Sequence, residues 1–416
     1  MKFAHLADAH IGSWRDPKLS DASLIAFLKA MDLCVSKAVD FILISGDLFN
    51  TSLPSIDRLK EVVKKLKQVK ESNIEVYIVP GSHDFSPSGK TMLDVLEYAG
   101  LVKNVVKGEV RDDKLYLKFT TDQKTGVKIT GMLGKRGMLE KSFYETLDLE
   151  SLEQKQGFKI FMFHTALTEL KPKDLAEMDS APLSFLPKGF DYYAGGHIHQ
   201  VIEKRETDYG LITYPGALFP NSFKEIEQFN PGGFYIYEEG KVEYCPVPVF
   251  DVVSINLNCN QKSPQEIRTM ILQEINRLLP DDNTNVKDYS KTIVTLRLHG
   301  VLSEGKVTNI GFSDVFERIY EKGVYFIMKN TLRLTTKDFE EIMIAADKSH
   351  DFESSLIKEH LGKAKLELNL EKKYKFDDPE FLKEFMMVLD IEKQEGERNI
   401  DFEQRLENNF DKFLEI

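Results

Sequence analysis

The chain has 416 residues, of which 42% are hydrophobic and 29% charged, and a formal net charge of −12. This length exceeds what one hydrophobic core usually organises, so we expect two or three domains. No run approaches the roughly 20 apolar residues of a membrane span, and the first residues lack the pattern of a signal peptide. The three cysteines have no CxxC spacing, which argues against a disulfide framework or a cysteine zinc site. We therefore expect a cytoplasmic protein, nucleoid-associated if prokaryotic, with no membrane contact.

Five apolar, strand-like runs in the first half of the chain each end in a polar loop with acidic or histidine side chains. The loops contain Asp8-Ala9-His10, Gly46-Asp47, Gly81-Ser82-His83-Asp84, His164 and Gly196-His197-Ile198-His199. Side chains alternate across a strand, so Asp8 and His10 are expected to leave the first strand on the same side. Five strands that deliver such groups at their ends predict a single site.

Amphipathic helices are predicted between these strands. Residues 22–38 and 56–70 carry apolar side chains at helical spacing. Alternating strands and helices predict an α/β fold with buried parallel strands. Further strands, such as 127–133, extend this to a two-sheet β-sandwich flanked by helices, the expected first domain (residues 1–245). The proline-containing stretch 245–249 is predicted to be a stiff connector at its end.

The remainder of the chain has no comparable cluster of reactive groups. Strand and helix patterns over 246–337 predict a small α/β capping domain that shapes a substrate or contacts a partner. Residues 338–416 are predicted to form a linker and a module with two final amphipathic helices. Their apolar stripes contain Phe381, Phe385 and Leu389 on the first helix and Phe402, Leu406 and Phe410 on the second. The stripes either pack on each other as a local hairpin or dock on a partner.

The strand-end loops contain the residue types of a metal centre. Five of the nine histidines lie in them, together with Asp8 and Asp47. Seven such groups exceed the needs of one ion, and mixed carboxylate and imidazole ligands suit manganese, iron or zinc. Two cations roughly 3.5 to 4 Å apart support in-line attack of water at phosphorus. The predicted substrate is therefore a phosphate ester.

These loops resemble the five signature blocks of the calcineurin-like metallophosphoesterases. The longer stretches Gly46-Asp47-Leu48-Phe49, Phe163-His164-Thr165-Ala166 and Tyr214-Pro215-Gly216 are similar to those of a narrower group. That group is the meiotic-recombination-eleven (SbcD-like) family of DNA double-strand-break repair nucleases, of the archaeal type. The resemblance implies a calcineurin-like phosphoesterase β-sandwich flanked by helices, a small α/β capping domain and a helical C-terminal tail.

The resemblance also implies a role for each residue of the site. Asp8, His10 and His199 hold a first ion, Asp47 bridges, and His164 and His197 hold a second. His83 lies beside the scissile phosphate, where it stabilises the phosphate or protonates the leaving oxygen. The implied activity is a single-strand endonuclease and a 3′ to 5′ exonuclease on duplex ends, with two Mn²⁺ per chain and Fe²⁺ or Zn²⁺ as alternatives.

The same resemblance implies three partners: DNA, a second copy of the chain in a homodimer, and an SMC-like coiled-coil ATPase of the Rad-fifty (SbcC) type. The C-terminal stripes are expected to bind the ATPase. Two rival functions remain open. One is a phosphodiesterase of the same superfamily that acts on nucleotides or cyclic nucleotides. The other is a catalytically weak scaffold subunit that binds DNA ends.

Two positions depart from the family pattern. Ser82 occupies the place of an asparagine that donates an amide oxygen to the second ion, so we predict a weaker ligand there. Asn50 occupies the place of an acid or a histidine that orients His83. A neutral amide can orient the ring by hydrogen bonding but cannot raise its pKa as a carboxylate does. We therefore predict weaker general-acid assistance, or a weaker exonuclease step, because of Asn50.

Candidate DNA contacts are few. Thirteen acidic and five basic residues follow position 376, so −8 of the net charge of −12 lies in the C-terminal segment. Lys135 and Arg136, with Lys141 nearby, form the basic cluster of the first domain, and Arg15 follows the first ligand pair. We predict that Arg15, Lys135 and Arg136 contact phosphates of DNA.

Overall fold

The computed structural model describes residues 1–86, 91–280, 288–336 and 399–414, and the single residues Phe381, Glu384, Phe385 and Val388. In chain order the strands are β1 (Lys2–Leu6), β2 (Phe41–Ser45), β3 (Glu75–Val79), β4 (Lys103–Asn104), β5 (Gly108–Arg111), β6 (Lys114–Leu117), β7 (Thr120–Thr121), β8 (Lys128–Met132), β9 (Lys159–His164), β10 (Tyr192–Gly196), β11 (Ile202–Arg205), β12 (Leu211–Tyr214), β13 (Gly233–Glu238), β14 (Lys241–Pro246), β15 (Asp251–Asn258), β16 (Thr292–Leu302) and β17 (Phe326–Thr336).

The α-helices are α1 (Ala22–Ser36), α2 (Ile56–Glu71), α3 (Met92–Tyr98), α4 (Lys141–Glu145), α5 (Leu149–Glu153), α6 (Phe223–Phe229), α7 (Pro264–Leu278), α8 (Phe312–Glu321) and α9 (Asn399–Leu414). Short 3₁₀ helices span Arg136–Met138, Lys173–Leu175, Leu183–Phe185 and Val307–Ile310. Helices α1 and α2 coincide closely with the amphipathic runs predicted from the sequence. Within the described ranges, no helix is both long and apolar enough to cross a membrane.

Two six-stranded sheets form a β-sandwich. The first has the order β14-β13-β1-β2-β3-β4 and the second β11-β12-β10-β9-β8-β7. Strands β1 to β4 run parallel, as do β8, β9, β10 and β12. The predicted α/β sandwich with buried parallel strands is confirmed.

The first sheet is buried on both faces because its side chains alternate between two apolar clusters. The ring of Phe3 lies 5.0 Å from the rings of Phe41 and Tyr192, and so joins the two sheets. Ile42 and Ile44 belong to the cluster that packs against α1 and α2. Because parallel strands end at one edge of a sheet, the loops after β1, β2, β3, β9 and β10 meet at the same end of the sandwich.

The stretch 245–249, predicted to be a stiff connector, is part of the sandwich instead. Cys245 and Pro246 pair with Phe234 and Gly233 as the end of β14. Strand β14 lies at the edge of its sheet, where a proline without an N–H is tolerated. Val247 is 1% exposed and belongs to the core.

The chain divides into two compact units. The first comprises Met1–Ser254, Asp282–Thr295 and Tyr320–Met328, and the second comprises Ile255–Asp281, Leu296–Ile319 and Lys329–Ile416, each as far as it is described. Strands β15, β16 and β17 form a three-stranded sheet in that order. Helix α7 begins with a capping box in which Ser263 and Glu266 bond each other's backbone N–H groups. The predicted domains 1–245, 246–337 and 338–416 stay predictions.

Aromatic side chains pack together in the described part of the C-terminal segment. The ring of Phe413, on α9, lies 5.3 Å from that of Phe381 and 5.9 Å from that of Phe385. Of the two interpretations of the apolar stripes, this contact agrees with the local hairpin. Leu389 and the side chain of Phe410 lie outside the described residues.

Candidate metal centre

The loops after five strands bring the predicted ligands together at one end of the sandwich. Three groups have potential ligand atoms within 4.8 Å of one another: Asp8, His10 and His199; His10, Asp47 and His83; and Asp8, Asp47 and His164. Asp47 Oδ2 lies 3.2 Å from His164 Nε2 and 3.6 Å from His10 Nε2. Asp47 therefore has the central position expected of a shared ligand.

His197 contributes to the cluster in a different way. Its backbone N–H donates to both carboxylate oxygens of Asp8, at 3.1 and 3.0 Å. Its ring lies 5.2 Å from that of His164. Asp8 is thus held in place by the backbone of the same loop that carries His197 and His199.

The backbone of the centre departs from strand geometry. Strand β1 ends at Leu6, and Asp8, His10 and Asp47 have left-handed φ values of 52°, 42° and 51°. Strand alternation therefore does not explain why Asp8 and His10 meet, and that part of the prediction is wrong. Two hydrogen bonds fix the loop instead, from Asp8 N to Gly46 O (3.1 Å) and from His10 N to Asp47 O (2.9 Å). Strained backbone of this kind is typical of functional sites.

Two glycines are required by close packing around the ligands. A Cβ atom on Gly81 would overlap the carboxylate of Asp47, and one on Gly46 would overlap the ring of His164. The glycines in the Gly46-Asp47 and Gly81-Ser82-His83 motifs thus leave room for the ligand side chains.

The electrostatics of the centre suit a cation. Burial raises the pKa of Asp8 to about 6 and lowers the pKa of His197 to about 3. Although burial opposes both shifts, mutual attraction lowers the pKa of Asp47 and raises that of His164 to about 10. These opposed shifts have one cause, a dense set of acidic and imidazole groups that is buried together.

Two buried nitrogen atoms support the same conclusion. Among the described residues, His10 Nδ1 and His164 Nε2 are buried without a well-aligned hydrogen-bond partner, although Asp47 Oδ2 lies 3.2 Å from His164 Nε2. Native proteins rarely leave such atoms unsatisfied unless an ion, water or catalytic role accounts for them. The donor set fits a divalent metal, because imidazole nitrogens and carboxylate oxygens are the ligands such ions take.

His83 and Ser82 lie at the open side of the centre. His83 Nδ1 is 2.8 Å from the backbone carbonyl oxygen of Asn50, and the backbone N–H of His83 donates to Asp47 at 2.7 Å. The backbone of Asn50, rather than its side-chain amide, therefore orients the ring, which corrects the predicted role. Ser82 Oγ lies 3.5 Å from Asp47 Oδ2, at the outer limit of a hydrogen bond.

Glu225, which the sequence reasoning missed, contacts His199, one of the predicted metal ligands. Its Oε1 atom is 3.2 Å from His199 Nδ1. Burial acts to lower the pKa of His199, but the contact with Glu225 raises it. The Ser222-x-x-Glu225 pattern marks the start of α6, since Ser222 accepts from the Glu225 N–H, but it carries no information on the contact with His199.

Asp84, which belongs to a predicted motif but was given no role, joins two loops of the centre. Its carboxylate accepts from the N–H groups of Leu48 (3.2 Å), Phe49 (3.1 Å) and Gly81 (3.1 Å). Burial raises its pKa to about 7. Its position directly after His83 was the signal in the sequence.

Two cavities open on the centre. One of about 330 Å³ is lined by His10, Asp47, His83, His197 and His199 together with Asp174, Gln200 and Lys224. Another of about 320 Å³ is lined by Ser82, His83, His164, Lys135 and Arg136. The Lys135 ammonium lies 4.3 Å from the centre of the Phe143 ring, and Arg136 is exposed. Arg15 is exposed in the loop after His10 and lines neither cavity.

Residues 1–201 match the calcineurin-like phosphoesterase family. The sandwich, the ligand cluster and this match define a metal-dependent phosphodiesterase of the calcineurin-like type. The chain is 26% identical to the DNA double-strand break repair protein Mre11 of Archaeoglobus fulgidus, over 96% of this chain and 94% of the relative. It is 28% identical to the protein of the same name from Methanocaldococcus jannaschii, over 63% and 68%. The chain is thus similar to archaeal Mre11 proteins over nearly its whole length.

Among solved structures, the chain resembles a dimetal phosphatase from Danio rerio. The sequence identity is 12%, the TM-score is 0.37, and the match covers 60% of this chain and 98% of the other. This similarity is too weak to add to the assignment.

Proposed function

We propose that the chain is a two-metal DNA nuclease that acts in the repair of double-strand breaks. The observation that carries the proposal is the central carboxylate of Asp47, which lies within reach of His10 on one side and His164 on the other. The names of the relatives supply the substrate class. The proposed activities are endonuclease cleavage of single strands and 3′ to 5′ exonuclease cleavage of duplex ends.

The proposed ligands follow the three residue groups of the centre. Asp8, His10 and His199 would hold one ion, His164 and His197 the other, with Asp47 shared and Ser82 a weak ligand. Manganese is the metal we favour, with iron and zinc as alternatives. Bound ions of this kind lower the pKa of a water nucleophile and neutralise charge on the phosphoryl oxygens.

His83 is proposed as the proton carrier for the leaving group. Its Nδ1 atom faces a carbonyl oxygen, which can only accept, so Nδ1 carries a proton. Nε2 is then the atom available to a phosphate, and His83 lines both cavities beside the ligands. The ring is fixed by backbone contacts, so it needs no rearrangement to meet a substrate.

The cavity that contains Lys135 and Arg136 is proposed as the path of the DNA backbone. It borders His83 and His164, so a phosphate bound there would lie next to the ligands. Arg136 is exposed and can contact a phosphate directly. Arg15 is proposed as a more distant contact.

Two protein partners are proposed. A coiled-coil ATPase of the Rad-fifty type would dock on the C-terminal stripes, with Phe402 and Leu406 on α9 tested first, because Phe381 and Phe385 already contact Phe413. Polar substitutions of Phe402 and Leu406 that leave the ATPase complex intact would contradict this proposal.

A homodimer is proposed as well, through exposed apolar side chains. Ile56 (82% exposed) and Tyr98 (94% exposed) are candidates for this contact.

The rival with support from a specific observation is the scaffold subunit. The long contact between Ser82 Oγ and Asp47 is the feature that favours it, because a weak second ion would slow hydrolysis. Metal content separates the two functions. Two ions per chain favour the nuclease, and one ion or none, without turnover, favours the scaffold.

The test is cleavage of labelled linear DNA, single-stranded and blunt duplex, with Mn²⁺, with Mg²⁺ and with a chelator. The native chain is compared with Asp47→Ala and His83→Ala, and with His299→Ala as a histidine control on β16, outside the centre. We expect Mn²⁺-dependent cleavage that the first two substitutions abolish and the third retains. Intact DNA binding without any cleavage would overturn the nuclease and favour the scaffold.

A further inference from the structure

His5 is a fully buried histidine that the proposed chemistry does not use. It lies on β1, in the interior of the sandwich, and both ring nitrogens have hydroxyl partners. Nδ1 is 3.0 Å from Tyr192 Oη and 3.0 Å from Thr213 Oγ1, and Nε2 is 3.0 Å from Ser45 Oγ. Tyr192 and Thr213 belong to the second sheet, so His5 links the sheets through polar contacts.

The protons of this network can be assigned from its acceptors. Ser45 Oγ donates its only proton to the Ala194 carbonyl oxygen, at 2.9 Å. Ser45 Oγ must therefore accept from His5, which places a proton on His5 Nε2. His5 Nδ1 is then an acceptor, and Tyr192 donates to it while Thr213 donates to Tyr192 at 2.6 Å. Every member of the network is satisfied when His5 is neutral with Nε2 protonated.

The network continues to a metal-binding histidine through the backbone of Ser45. The Ser45 carbonyl oxygen lies 2.8 Å from His164 Nδ1, so it accepts the Nδ1 proton. In the neutral form that binds a metal, His164 keeps the Nδ1 proton, and Nε2, which faces Asp47, is the nitrogen free to act as a ligand. A Cβ atom on Gly196 would overlap the Ser45 oxygen, so a glycine is required for this close approach.

We propose that His5 is a positioning residue for the metal centre, acting through Ser45 on the orientation of His164. His5 and Ala194 hold the Ser45 side chain from two sides, and Ser45 in turn fixes the tautomer and direction of the His164 ring. The inference rests on the proposed metal site. It assigns the metal affinity of that site partly to a residue on β1 with no contact to the ion.

Two substitutions separate this role from a purely structural one. Gln at position 5 places an N–H donor where His5 Nε2 lies, so it can keep the bond to Ser45 but not the one to Tyr192. Asn places its polar atoms near the position of Nδ1, so it can keep Tyr192 but not Ser45. Each variant removes part of the same buried network, and only His5→Asn breaks the bond to Ser45.

The experiment measures Mn²⁺ binding by the free full-length chain, with unbound Mn²⁺ counted by electron paramagnetic resonance. We expect His5→Asn to weaken binding of one ion by about tenfold, in the range typical of groups that orient metal ligands. His5→Gln should bind as the native chain does. Thermal unfolding in a chelator measures the loss of stability of each variant separately from its Mn²⁺ affinity.

A double-substitution cycle completes the test. Ser45→Ala removes the hydroxyl link, so His5→Asn should cause no further loss of Mn²⁺ affinity in that background. Equal affinities for His5→Asn and the native chain, or equal losses for both His5 variants, would overturn the positioning role while leaving the nuclease proposal intact. A native chain that binds no Mn²⁺ would overturn both.

Discussion

The Nδ1 atom of His83 lies 2.8 Å from the backbone carbonyl oxygen of Asn50. A substitution at position 50 changes the side chain but leaves this acceptor in place. The backbone N–H of His83 is fixed as well, by Asp47 Oδ1 at 2.7 Å. The ring orientation therefore depends on the paths of two loops rather than on the residue type at position 50.

This contact changes the expected effect of Asn50. Asn50→Asp and Asn50→His should give no gain in exonuclease rate, because the Nδ1 atom of His83 already has its partner. Asn50→Ala should keep near-native activity, whereas His83→Ala should lose about 10²- to 10⁴-fold, the usual contribution of a general acid. Single-turnover cleavage of duplex DNA measures these rates. A large gain in cleavage rate for Asn50→Asp would mean that the side chain at position 50 does act on His83, as the sequence predicted.

Ser82 provides a second test, on metal affinity. Asparagine at this position would extend a carbonyl oxygen further into the centre than the serine hydroxyl, which lies 3.5 Å from Asp47 Oδ2. We expect Ser82→Asn to lower the Mn²⁺ concentration needed for half-maximal cleavage and Ser82→Ala to change it little. If Ser82→Ala abolished Mn²⁺-dependent cleavage, the serine hydroxyl would be a necessary ligand.

The sequence predicted which residues form the site, but it did not predict the backbone geometry that brings them together. The strand-end motifs located Asp8, Asp47 and His164, because apolar runs that end in polar residues mark the edge of a buried sheet. The left-handed φ of Asp8 could not be read in this way, since only a tertiary contact with Gly46 imposes it. Predicting that Glu225 approaches His199 would require knowing how α6 packs, and local periodicity does not carry that information.

Glu225 should affect metal binding through His199. Its carboxylate lies 3.2 Å from His199 Nδ1 and so fixes the nitrogen that does not face the metal. We expect Glu225→Ala to weaken Mn²⁺ affinity by about 10- to 100-fold, and Glu225→Gln, which keeps an acceptor oxygen, to weaken it less. Isothermal titration with Mn²⁺ measures this, with the exposed Glu203→Ala as the control. Native affinity in Glu225→Ala would mean that His199 is oriented by other contacts.

The stability of the metal-free chain should depend on pH through His5. Burial lowers the pKa of His5 from 6.5 to about 3, so the folded chain excludes a proton that the unfolded chain binds below pH 6.5. The contribution of His5 to the free energy of unfolding is therefore fully present above pH 6.5. It is lost as the pH falls toward 3, by at most about 1.4 kcal/mol per pH unit. Urea unfolding in a chelator at pH 7.5 and pH 5.0 measures it. The gap in unfolding free energy between the native chain and His5→Gln should narrow by up to about 2 kcal/mol, and an unchanged gap would mean that His5 is protonated in the fold.

Arg136 should contribute to DNA affinity without contributing to hydrolysis. It lines the cavity beside His83 and is exposed, so it can contact a phosphate, whereas the ammonium of Lys135 is already stacked on Phe143. We expect Arg136→Ala to weaken duplex binding and to reduce the slope of log affinity against log salt by about one, the value for one phosphate contact. Lys141→Ala is the matched control, since Lys141 is exposed on α4 but does not line the cavity. Equal slopes for the native chain and Arg136→Ala would place the DNA backbone elsewhere on the surface.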